Sequence, residues 1–159
     1  MCENCTRRDF LSASAMASLM LAANQARGAS ADTPPAALPA KARICVIFAG
    51  KPTPCDRSWG VCEPEIQALR EQLAAVEKKL QNVEFLIGNA TTADEAAALM
   101  DQAGAKAPVL AINLCIGGLL RISEPILQSG RPFAVFSLPA SGHDWMYPFR
   151  WRKEGKRVT

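Results

Sequence analysis

Cys55, Cys62, Cys115 and His143 are residue types that can bind a soft metal ion. Three thiolates and one imidazole suit tetrahedral zinc, although their spacing lacks the close pairs of a metal finger. Two other fates are open to these cysteines: Cys55 and Cys62 can close a small disulfide loop in an oxidising compartment, or the thiols stay free. Ser141-Gly142-His143-Asp144 places a hydroxyl, an imidazole and a carboxylate in one short run. Neighbouring side chains point in different directions, so no catalytic triad is expected there. Gly117-Gly118 could let backbone amides approach an anionic ligand. The chain holds no complete Gly-x-Gly-x-x-Gly or phosphate-loop pattern, which favours a tight turn. The candidate ligand-binding residues are therefore His143, Asp144, Trp145, Gly117 and Gly118. Trp145, Tyr147, Phe149 and Trp151 alternate, as in an extended segment with one aromatic face. That face suits packing against a further domain, or stacking on a sugar ring.

A chain that alternates strand and helix must position these groups. Residues 43–50 are nearly all apolar and end in glycine, as for a strand buried on both faces. Pro64-Glu65 opens a helix in which Ile66, Leu69, Leu73, Val76 and Leu80 mark one buried face. Residues 83–88 read as a second strand. Thr92-Ala93-Asp94-Glu95 fits a capping box for a helix that stops at Gly104. Residues 108–114 and 131–137 read as the third and fourth strands, and Ser123-Glu124-Pro125 as the cap of a short helix between them. Such alternation implies an α/β fold: an open, doubly wound, Rossmann-like and mostly parallel sheet, in the order 2-1-3-4.

Ligands in such sheets bind at the carboxyl ends of the strands, where strand order reverses. Here that crevice falls between the first and third strands. Its walls are the loop 51–63, the turn 115–118 and the segment 139–148. Cys55, Cys62, Cys115, His143 and Asp144 all map to this edge. Cys45 alternates within a buried strand and reads as core.

The front of the chain carries a different signal. Thr6-Arg7-Arg8-Asp9-Phe10-Leu11 resembles the twin-arginine export signal of bacteria, with Arg7, Arg8, Phe10 and Leu11 at its key positions. The apolar stretch that follows is too short and too rich in Ala and Ser for a membrane span of about 20 residues. Ala29-Ser30-Ala31 supplies the small-x-small pattern of a cleavage site, with Ala29 and Ala31 at the small positions. Residues 1–31 are thus expected to be a signal peptide, with the twin-arginine translocase and a signal peptidase as partners. Cleavage would discard Cys2 and Cys5. Residues 32–42, rich in Pro and Ala, read as a tether to an α/β domain over 43–159. The mature chain is expected in the periplasm or secreted, without a stable membrane anchor.

Of 18 Lys+Arg and 15 Asp+Glu, the signal takes three and two, leaving a net charge of +2. That balance predicts no nucleic-acid or polyanionic partner. The basic end, with Arg150, Arg152, Lys153, Lys156 and Arg157, reads as a solvated terminus.

Residues 43–139, with the Gly130-Arg131-Pro132 lead into a strand and the Pro-Ala-Ser-Gly-His loop, resemble the N-terminal α/β domain of the L-fucose and L-arabinose isomerase family. The resemblance implies a domain that contributes to a sugar cleft and to subunit packing, and hence a homo-oligomer. In that family the Glu, Asp and His that bind a divalent metal belong to later parts of the chain. Nothing here matches them, so no catalytic residue is assigned. A fourth strand left as an open edge would expose backbone groups, so the chain is expected to be the front portion of a longer protein. Two alternatives stand beside this reading: a periplasmic small-solute binding module, and a Cys/His metal-binding or redox protein.

Overall fold

Ala42–Ala49 forms β1, the first element among the described residues of the computed structural model. The structure describes residues 41–159 apart from 57, 58, 143 and 145. The signal-peptide reading and nearly all of the tether therefore lie outside the described residues. Ala42, expected as the last residue of the tether, pairs with Val83.

The elements follow as α1 (Glu63–Leu80), β2 (Val83–Ala90), α2 (Ala93–Ala103), β3 (Val109–Asn113), α3 (Gly118–Gln128), β4 (Phe133–Ser137) and α4 (Met146–Lys153). The strands of the described residues form one parallel sheet in the order β2-β1-β3-β4. This is the open α/β arrangement that the alternation of elements implies.

Two apolar layers hold the sheet between helices. On one face Cys45, Ile47, Val109, Ala111 and Phe133 pack with Met100 of α2, Ile122 and Ile126 of α3, and Trp151 of α4. On the other face Ile44, Val46, Phe48, Leu110 and Ile112 pack with Ile66, Leu69 and Leu73 of α1. β1 belongs to both layers, which is why all its residues from Ile44 to Ala49 are buried.

Two helices differ from the expectation. The Gly117-Gly118 pair does not stand apart as a turn before a short helix capped at Ser123. Gly117 is the cap of α3 in the left-handed region (φ 75°), and Gly118 is its first residue. The cause is the spacing of Leu119, Ile122 and Ile126, which places one apolar face on the sheet. Ser123 and Pro125 accordingly lie inside α3.

From Met146 onward the aromatic stretch is likewise helical rather than extended. Tyr147 and Trp151, four residues apart, stack at 5.9 Å between ring centroids. Trp151 also lies 5.9 Å from Phe133. Four-residue spacing makes neighbours on a helix, and Pro148 falls in the first turn, where its missing N–H costs nothing.

Nor is the outer side of β4 left open along its whole length. Phe133 N donates to Arg157 O (3.0 Å), Thr159 N to Phe133 O (2.8 Å) and Val135 N to Thr159 O (2.9 Å). Val158 bridges to Phe133 in parallel and is itself buried. The residues read as a solvated basic end thus lay backbone against the sheet.

Candidate functional site at the carboxyl edge

Each strand of the sheet ends at one edge, and the crevice forms where β1 and β3 part toward helices on opposite faces. Gly50 turns the chain out of β1 with φ of 104°, a conformation glycine adopts without strain. A methyl group there would stand 2.5 Å from Cys115 Sγ, so the thiol lies directly over the backbone at the switch. Leu114 N donates to Ala49 O across the same junction (3.0 Å). Gly118 sits so close that a Cβ would meet Ala49 O at 2.5 Å and Asn113 Oδ1 at 2.9 Å.

The walls of the crevice are tied to one another. Gly60 N donates to Ala140 O (2.5 Å), Val61 N to Leu114 O (2.9 Å) and Thr53 N to Val61 O (2.9 Å). A disulfide joins Cys55 to Cys62, with their Cα atoms 5.1 Å apart. The loop after β1 is therefore braced covalently and pinned to both other walls.

Asn113 is the hub. It ends β3, is fully buried, and uses both ends of its amide. Its Nδ2 donates to Asp144 Oδ2 (2.9 Å) and to Ser141 O (3.2 Å), while its Oδ1 accepts from Leu119 N (3.2 Å). Asp144, only 4% exposed, is thereby held at the amino end of α3. Burial pushes its carboxyl above the ordinary aspartate value. The Gly117 amide, the Asn113 side chain and the Leu119 amide oppose that rise by hydrogen bonding to the charged form.

Of the candidate ligand-binding residues, Asp144 is joined through Asn113 to the start of α3 beside Gly117, while Gly118 packs on Ala49 O and Asn113 Oδ1. His143 and Trp145 lie outside the described residues. Ser141 is fully buried and its hydroxyl donates to Leu138 O (2.7 Å), so it is not paired with Asp144. Of the candidate metal set, Cys55 and Cys62 are consumed by the disulfide and Cys115 remains as a free, partly exposed thiol. Among the described residues no group of three or more His, Cys, Asp or Glu could hold a metal ion. Cys45 is buried in β1, and burial pushes its thiol up to about 11, which leaves it unreactive at neutral pH.

Asn113 was not among the residues singled out from the sequence. The signal for it is an amide closing an otherwise apolar strand, on the side of the fold where ligands bind. Ser137, its partner in register on β4, has a buried hydroxyl without a hydrogen-bond partner.

Compared with protein-family models, curated proteins and solved structures, the chain finds no match in any of the three.

Proposed function

We propose that this chain is an exported α/β domain that forms one side of a cleft for a free sugar or similar polyol, as the front part of a sugar isomerase-like protein. The observation that carries this is the switch point between β1 and β3, where the loop after β1, the end of β3 and the loop after β4 are fixed to one another through Gly60–Ala140, Val61–Leu114 and Asn113–Asp144. Such folds hold small ligands at that point. The described groups are suited to shape and hydrogen bonding rather than to proton transfer, since Asp144 and Ser141 are engaged internally. In the resembling family the metal and the acid/base pair that move a proton between sugar carbons come from later parts of the chain, so no reaction step is assigned here. Homo-oligomer formation belongs to the same proposal.

Export by the twin-arginine route is also proposed. The Cys55–Cys62 disulfide supports it, because such bonds persist mainly in oxidising compartments. Replacing Arg7 and Arg8 by Lys is expected to leave the uncleaved chain in the cytoplasm; normal processing of that variant would refute the route.

Titrating free aldoses and ketoses into the chain, with amide chemical shifts as the readout, tests the cleft. Saturable shifts at Gly50, Cys115 and Gly117 support it. Silence of those amides across pentoses and hexoses would exclude it.

A second reading, a periplasmic small-solute binding module, draws on the same crevice because all three walls come from this one chain. It predicts tight binding without turnover, whereas a cleft completed by further chain predicts weak binding.

A further inference from the structure

Helix amino ends attract anions, because their free N–H groups and the helix dipole both present positive charge. In open α/β sheets these ends gather at the carboxyl edge, and phosphate groups commonly sit there. In this protein a carboxylate of the chain itself is placed at each of the three that follow β1, β2 and β3. At α1, Glu65 Oε2 accepts from Cys62 N (3.1 Å). At α2, Glu95 Oε2 accepts from Thr91 N (2.6 Å) and Thr92 N (3.2 Å). These two are local capping boxes on an exposed surface.

The third differs in kind. α3 has a glycine cap with no side-chain hydrogen bond of its own. Its carboxylate arrives from the loop after β4, is buried, and is held by Asn113 Nδ2 at 2.9 Å. Asn113 in turn accepts the Leu119 N–H of α3 through Oδ1 (3.2 Å), and the Gly117 and Leu119 amides favour the charged form of the carboxyl. On the side of Gly118 the space is closed by Ala49 O and Asn113 Oδ1, whereas a methyl group on Gly117 would meet nothing within 4 Å. A phosphate approaching α3 would have to expel a buried carboxylate and break its bond to Asn113.

We propose that Asp144 is a built-in anion that plugs the amino end of α3 and sets the charge selectivity of the crevice, admitting uncharged polyols and rejecting phosphorylated ones. Asp144 is a specificity-determining residue in this scheme and takes no part in bond making. The inference deepens the sugar-cleft reading and rests on it for the identity of the admitted ligand, but the rejection of anions can be read separately.

The test titrates inorganic phosphate, at constant ionic strength set with chloride, into the wild-type chain and into Asp144→Ala and Asp144→Asn variants, following the amides of residues 117–119. The wild-type amides are expected to stay unmoved. Asp144→Ala is expected to gain saturable shifts there, with affinity raised at least about tenfold, or 1.4 kcal/mol. Asp144→Asn keeps the volume and removes the charge, and is expected to fall between the two. A folded Asp144→Ala that gains no phosphate binding, or a wild-type chain that binds phosphate at these amides, overturns the plug.

Wild-type protein alone supplies an independent arm, which decides the matter should neither variant fold. A free sugar that shifts the edge amides while its phosphorylated form does not supports the plug, and equal or tighter binding of the phosphorylated form refutes it. Silence toward every free sugar would remove the sugar-cleft reading, while the phosphate titrations would still judge the plug.

Discussion

Asn113 Nδ2 lies 2.9 Å from Asp144 Oδ2, joining the last residue of β3 to the loop between β4 and α4, 31 residues away in sequence. The same amide accepts the Leu119 N–H through Oδ1, so one buried side chain fixes a strand end, a helix start and a loop. Sheet edge and loop can then move only together.

Asn113→Ala removes all three bonds and leaves a buried carboxylate short of a donor. Hydrogen bonds to charged groups are worth about 1.5–3 kcal/mol, and the loss is expected near the top of that range. Asp144→Ala should cost about as much. The double variant should cost less than the two single losses together by about 1 kcal/mol, because the pair acts as a unit. Urea unfolding of the four proteins measures the coupling, and strict additivity would show that the bond contributes nothing.

The pH response of Asp144 has a defined sign. Its folded value lies above the ordinary 3.8, so between the two values the folded state holds a proton that the unfolded chain has released. Its contribution to stability therefore falls as pH rises through that window and is level above it. Glu95 runs the other way. The Thr91 backbone bond, followed by the Thr91 hydroxyl, holds its carboxyl below 4.5, so its contribution is present above 4.5 and lost as pH falls. Melting temperature followed from acid to neutral pH should fall less steeply for Asp144→Asn than for wild type, and Glu95→Gln should be less acid-sensitive. Parallel profiles for wild type and Asp144→Asn would contradict the assignment.

Cys55 and Cys62 close a loop with a sequence separation of 7. Chain-entropy arguments give such a bond about 2.5 kcal/mol. A Cys55→Ala/Cys62→Ala chain should lose about that much in denaturant unfolding, and hydrogen exchange should rise at Gly60 and Val61, whose amides tie the loop to its neighbours. Unchanged protection at both amides would show that hydrogen bonds suffice to hold the wall.

Gly118→Ala places a methyl group 2.5 Å from Ala49 O. Backbone on both sides must yield, and overpacking of this kind costs about 1–3 kcal/mol. Gly155→Ala is the contrasting case, with a positive φ and nothing within 4 Å of the added methyl, so its cost is backbone strain alone. A neutral Gly118→Ala would mean that α3 can slide away from β1 without loss.

Much of the scaffold was legible because its signals are local. The three-and-four spacing from Ile66 to Leu80 marks α1, and Thr92 with Glu95 marks the start of α2, as the structure bears out. The order β2-β1-β3-β4 is the simplest doubly wound arrangement that right-handed crossovers give to such alternation, and the sheet has it. The misjudged parts depend on tertiary contacts. Ser123-Glu124-Pro125 carries the composition of a helix start, yet the apolar face running from Leu119 to Ile126 carries the helix through it. Trp145 to Trp151 satisfies both an alternating and a four-residue pattern, and it is Phe133 under Trp151 that selects the second. The role of Asn113 was hard to read for a related reason: its partners lie on α3 and on the loop after β4, and no spacing in the chain records their meeting.

The order of strands also has a consequence for how the chain is made. β1 is the first of the described elements to be synthesised but lies inside the sheet, and its second neighbour is not available until Val109 has emerged. Until then Ile44-Cys45-Val46-Ile47-Phe48-Ala49 has one unpaired side, and an uncharged, β-prone run of that length is a template for other nascent chains. The newborn protein is thus most at risk of sticking to its neighbours until β3 has been made. A translocase that accepts only folded cargo, as proposed from Arg7 and Arg8, would spare it a second passage through that state.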